Sequence, residues 1–184
     1  MKSSPVEESR RLALEAAEQL IENDGWKNLT AAKIAEVSGM SRQWLHALFG
    51  GQEGLIDALV NSLAGHWKSS QIEIIASRLP LAETTEKSFA ILLESSPALS
   101  IVFRQIMVDR ATKFENIWND VERIWSPVWQ GERRANVEEN TAVSAIFFSS
   151  ALGLELLVRR RELKVSTAKY ILLAAIRGCL QRKY

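Results

Sequence analysis

One cysteine, two histidines and four prolines are all that this chain of 184 residues holds of those three types. A single cysteine, Cys179, allows no intrachain disulfide and fits a reducing compartment. His46 and His66 have no Cys, Asp or Glu cluster at ligand spacing, so no metal site is expected. No G-x-S-x-G is present, no glycine-rich loop would cradle a phosphate, and Ser149 and Ser150 have no histidine near them in sequence. No catalytic residue, no enzymatic activity and no cofactor are therefore expected. Alternating strand patterns are missing too. The first residues, Met-Lys-Ser-Ser-Pro-Val-Glu-Glu, contain no apolar segment of signal-peptide type. The longest apolar stretch, 144–158, is broken by serines and Glu155 and reads as too short and too polar to cross a bilayer. A soluble cytoplasmic protein without a membrane partner is the expectation. The formal net charge of +1 excludes no partner of either sign.

Helical periodicity fills the space these absences leave. Apolar residues make up 47% of the chain, enough to bury a sizeable core, and the fold class expected is all-α. The pattern predicts helices over 6–23, 31–37, 42–48 and from 52 or 53 towards 76. Further helices are predicted over 82–94, 97–109, 113–133, 137–161 and 166–181. Pro97 suits a first helical turn. Pro127 falls inside a helical pattern, where a kink or break is expected.

The segment from Thr30 to Leu55 carries the most information. Thr30 and Ser41 are N-cap residues before two short amphipathic stretches, and Ser38-Gly39-Met40 lies between them. Gly39 supplies the positive φ of the turn. Ile34 and Ala35 face the partner helix, Met40 and Leu45 fill the angle, and Phe49 and Leu55 tie the third helix to its neighbours. That leaves Arg42, Gln43, Trp44, His46 and Ala47 pointing outward. Glutamine pairs with adenine and arginine with guanine in a major groove, so this is the layout of a DNA-binding helix-turn-helix. Its charge is unusual for the task. Six basic residues stand against eight acidic ones over 1–55, a balance of −2, where a duplex binder commonly shows a basic footprint. The basic C-terminal stretch around Arg159, Arg160 and Arg161 reads as a solvated helix end.

With Thr30, Ile34-Ala35, Gly39, Ser41, Leu45, Phe49 and Leu55 in register, the first third of the chain resembles the N-terminal domain of the TetR family of transcriptional regulators. Ala16-Ala17 and Gly25 in the first helix match as well. The resemblance implies a helix-turn-helix domain over 1–55 and a helical ligand-binding and dimerisation domain over 56–184. It places Thr30, Ser41, Arg42, Gln43, Trp44, His46 and Gln52 at the DNA surface. The family usually has tyrosine at position 46 and lysine at position 52, both phosphate-contacting. With histidine and glutamine there, a flatter salt dependence is expected.

Six tryptophans mark the rest of the chain. Trp118 and Trp125 are seven apart and share a helix face, which Trp129 continues. Each such residue is first a core residue. As a group, Trp67, Phe103, Met107, Trp118, Trp125 and Phe148 are candidates to line a cavity between helices, a reading the resemblance supports. Glu155 would answer a cationic ligand, face a groove or pair with a nearby arginine. The last two predicted helices alternate small and large apolar residues. They either close the monomer's core or pair with their two-fold mates as a four-helix bundle, and the resemblance favours the homodimer. A ligand-responsive regulator, a repressor by preference, is thus expected, released from its operator by a small apolar or aromatic effector. The competing expectation is a TetR-like ligand- or protein-binding module with weak or lost DNA binding.

Overall fold

A computed structural model describes residues 4–108, 115–132 and 137–181, and the described residues are helical with no strand. The helices are α1 (Pro5–Asp24), α2 (Ala31–Ser38), α3 (Arg42–Phe49), α4 (Gln52–Ala76), α5 (Leu81–Glu94), α6 (Pro97–Val108), α7 (Glu115–Glu132), α8 (Val137–Arg159) and α9 (Val165–Gln181), with a 3-10 turn at Trp26–Asn28. Local chemistry explains the first boundary. Ser4 Oγ accepts from the Glu7 amide at 3.2 Å, and Glu7 Oε2 accepts from the Ser4 amide at 2.8 Å. This reciprocal box satisfies two donors that a helix start leaves open.

The chain forms two compact units. The first takes the chain up to Gly65 together with Ser96–Val108. Here α1 buries Ala13, Ala16, Ala17, Leu20 and Ile21, a stripe at 3.6-residue spacing, and packs against α2, α3 and α6. Ser96 fastens the start of α6: its hydroxyl donates to Glu22 Oε1 at 2.7 Å and accepts from the Ala98 amide at 3.1 Å. The second unit is His66–Ser95 with the chain after Val108. In it α8 packs against α7 and α9, and α5 packs against α8 and α9. The sequence-based cut between 55 and 56 falls inside the continuous helix α4, and α6 packs with α1 and the 3-10 turn.

Two expectations change. The helix α7 runs on through Pro127 without a break. Trp125 and Trp129, both fully buried, anchor the chain on either side of the proline, while Pro127 itself is exposed. The reading of this region as too short and too polar for a bilayer changes as well: within α8, Asn140–Arg159 has a mean hydropathy of 1.8, enough by length and composition to cross a membrane. Its apolar side is committed to the core instead, since Val143, Phe147, Phe148, Ala151, Leu152 and Leu154 are all buried.

Candidate nucleic-acid interface

The turn between α2 and α3 is built from caps. Thr30 Oγ1 accepts from the Lys33 amide at 3.3 Å, and Ser41 Oγ accepts from the Trp44 amide at 3.1 Å. Gly39 takes φ 70°, ψ 15°, a left-handed conformation that side chains with a Cβ resist. Its N–H and that of Met40 both reach the Ala35 carbonyl, the latter at 3.1 Å. With the angle fixed, α3 divides cleanly. Leu45, Leu48 and Phe49 are buried, whereas Arg42, Gln43, Trp44, His46 and Ala47 are exposed. Burying each large apolar side chain contributes about 1.5–3 kcal/mol, so the inward three hold the helix down. Trp44 remains 42% exposed. The exposed part of its indole adds apolar area to the outward surface that Arg42 and Gln43 also occupy.

The polar groups nearby are less free than the sequence suggests. Gln52 Nε2 donates to the Leu29 carbonyl at 3.4 Å, which holds the side chain to the unit's own backbone. Lys33 Nζ donates to Asn28 Oδ1 at 3.0 Å and lies 3.5 Å from Asp24 Oδ2. Arg11 is matched by Glu8 and Glu15 across exposed pairs, which hold its pKa up and lower that of Glu8. Arg42, Lys27 and His46 are exposed in this unit.

Sequence reasoning passed over Arg10. Its guanidinium donates to the Leu48 carbonyl at the end of α3 and stands 4.6 Å from the centre of the Phe49 ring. A separation of 38 residues leaves no local signal for such a contact.

In the second unit, Trp67, Trp125 and Phe148 do come together. Trp67 meets Phe148 edge-on at 5.5 Å, and Trp125 meets Phe148 at 6.3 Å. Phe147 and Trp129 complete the cluster, with Trp125 stacked on Trp129 at 5.0 Å. Trp129 Nε1 donates to Ser144 Oγ at 2.8 Å. Gln71, Thr85 and Asn140 add buried polar groups that the sequence did not single out. Glu155 is fully buried and pairs with Arg159 one turn on, the arginine pairing among its expected roles. Phe103 and Met107 lie on α6 in the first unit, Phe103 buried and Met107 half-buried. The side chain of Trp118 lies outside the described residues. A separate cleft of about 420 Å³ is lined by Pro80, Leu81, Ala82, Arg177, Leu180 and Gln181, and shares no residue with the aromatic cluster.

Residues 13–59 match the family model of bacterial regulatory proteins of the tetR family, a span that contains the whole capped turn and α3. The N-terminal segment is thus similar to the tetR-family regulatory domain over those residues. Solved structures extend the likeness to the fold of the chain. A TetR-like transcriptional regulator from Rhodococcus sp. RHA1 is similar at TM-score 0.72 and 13% identity, over 95% of this chain and 97% of that one. Thermus thermophilus FadR, a TetR-family transcriptional repressor solved with lauroyl-CoA, is similar at TM-score 0.60 and 18% identity, over 95% and 96%. The repressor AlkX from Dietzia sp., implicated in n-alkane biodegradation, is similar at TM-score 0.53 and 19% identity, over 95% and 99%. No curated protein sequence matches the chain. The TetR fold thus accounts for both units: a helix-turn-helix domain and a larger helical domain.

Proposed function

We propose that this chain is a cytoplasmic, ligand-responsive transcriptional repressor that binds its operator as a homodimer. The outward face of α3 carries the reading. Arg42 and Gln43 are the direct base readers, Trp44 gives an apolar surface for a thymine methyl, and His46 donates to phosphate. Thr30 and Ser41 present helix starts to the backbone, with Gln52 beside them.

Dimerisation is supported by a second exposed face. On α8, Ala142, Ile146, Ser149, Gly153 and Leu157 are exposed; on α9, Tyr170, Ile171, Ala174 and Gly178 are, with Tyr170 at 75%. The α8 positions, and Ile171, Ala174 and Gly178 on α9, recur every three to four residues, the spacing of a helix-pairing seam. By contrast Leu172 and Ile176 are fully buried and serve the monomer. A two-fold axis along this face would present two α3 helices to two half-sites. The effector would enter the aromatic region of the second unit. The tight packing of Trp67, Trp125, Trp129 and Phe147 favours a compact apolar or aromatic molecule that displaces a ring. It acts only by binding the released state more tightly than the DNA-competent one.

A second reading has its own observations. Lys33 and Gln52 are engaged within the unit, and acidic residues outnumber basic ones over 1–55. These favour a module that keeps the fold and acts through ligand or protein contacts.

The test is binding to duplex DNA from around the protein's own gene, titrated with salt and scrambled competitor. A repressor binds selectively, and the Trp44→Ala, Gln43→Ala double variant loses that selectivity. Unchanged affinity and preference in the variant would remove α3 from the reading role. Failure to bind that duplex or a randomised pool at low salt would favour the second reading.

A further inference from the structure

We propose that Arg10 is a positioning residue for DNA recognition, acting through the last turn of α3 and not by touching DNA. This rests on the DNA-binding reading above. The helix α3 has eight residues, far short of the length at which a helix holds its shape unaided in water. Its pose therefore depends on anchors. Ser41 caps its start and the buried Leu45, Leu48 and Phe49 hold its underside. At its end the Gly50 amide donates to the His46 carbonyl at 2.8 Å. The Leu48 carbonyl belongs to the last turn, where carbonyls lack intrahelical donors. Arg10 supplies one from α1.

Two features of Arg10 act at once. An edge N–H meets the Leu48 carbonyl, while the guanidinium lies over the Phe49 ring at 4.6 Å, within cation–π range. A positive charge here also opposes the negative end of the α3 dipole. The pair of contacts needs a planar group with donors at its rim and a stacking face, which lysine does not offer. Adjacent Arg11 makes a natural control. It carries the same charge on the same helix, yet its partners are the exposed Glu8 and Glu15.

The experiment compares full-length Arg10→Ala, Arg10→Lys and Arg11→Ala with the wild type in two measurements. The first is amide hydrogen exchange without DNA, resolved over residues 42–50. Both Arg10 variants should exchange about tenfold faster in the last turn of α3, as expected for loss of a hydrogen bond to a charged group, while Arg11→Ala exchanges as wild type. The second is salt-titrated affinity for the selected duplex and for its scramble. Both Arg10 variants should lose about tenfold in specific affinity, with an unchanged salt slope and a smaller loss on the scramble. A slope shallower by about one unit in Arg10→Ala, restored in Arg10→Lys, would instead make Arg10 a phosphate contact and overturn the proposal. Exchange that is unchanged in α3, or equally faster throughout the N-terminal unit, would overturn it too. If the wild type binds no duplex, the DNA-binding reading and any recognition role for Arg10 both fall. The exchange measurement would then still show, by itself, whether Arg10 fixes the end of α3.

Discussion

Replacing Gly54 by alanine should destabilise the protein, although the residue lies in a helix where alanine is ordinarily the better choice. Gly54 sits in the first turn of α4, directly after the α3–α4 break. A Cβ built there falls 1.9 Å from the Phe49 carbonyl oxygen and 3.0 Å from its carbon. Carbon and oxygen approach to roughly 3.3 Å in the closest common contacts, so one backbone segment must move by about 1.4 Å. No rotamer change relieves it, because the obstructing atoms are main chain. Overpacking of this kind costs about 1–3 kcal/mol, and more where backbone must shift. Alanine returns about 1 kcal/mol of helix propensity, leaving a net loss of about 2 kcal/mol. Gly65 in the same helix is the control: nothing lies within 4 Å of its added Cβ, so Gly65→Ala should gain about 1 kcal/mol. At about 2–4 °C per kcal/mol for a chain of this size, Gly54→Ala should lower Tm by about 4–8 °C and Gly65→Ala should raise it by about 2–4 °C. Thermal unfolding followed by circular dichroism measures both. A Gly54→Ala protein as stable as wild type would refute the close approach of α4 to the end of α3.

Three further outcomes follow from the second unit. Arg159→Ala removes the guanidinium that pairs with fully buried Glu155 and donates to the Leu92, Leu93 and Ser95 carbonyls at 3.3, 3.2 and 2.8 Å. A loss of about 3 kcal/mol is expected in urea unfolding, and a loss under about 0.5 kcal/mol would contradict that geometry. The hydrogen bond from Lys68 at 2.6 Å, with Arg123 at 2.8 Å, holds the Asp120 carboxyl below the usual aspartate range. A lowered carboxyl pKa adds stability above the unfolded value of about 4, and that stability is lost as pH falls through the folded value. The deficit of Asp120→Asn should therefore be about 0.5–1 kcal/mol at pH 7, limited by solvent screening, and should vanish in acid. A deficit that persists undiminished at low pH would break the link to ionisation. Finally, Ile146→Glu combined with Gly178→Glu should yield a folded monomer in sedimentation, since both positions are exposed on the proposed seam. A dimer that survives both charges would place the interface elsewhere.

The sequence determined the elements whose causes are local. Thr30 and Ser41 as caps, Gly39 as the left-handed turn and the inward Leu45 and Phe49 are all short-range chemistry, and the exposed set on α3 followed from helical spacing alone. The TetR likeness rested on those same residues. Matters set by contacts distant in sequence were decided only by the tertiary structure. Pro127 breaks a helix in isolation, yet α7 continues because Trp125 and Trp129 are buried on both sides of it. Glu155 admitted several readings by sequence, and in the fold Arg159 pairs with it. Gln52 was expected at the DNA surface, but the fold turns its amide onto the Leu29 carbonyl. The hold of Arg10 on the end of α3 joins residues 38 apart. Helical periodicity says which face of a helix is buried, and only packing in three dimensions says against what.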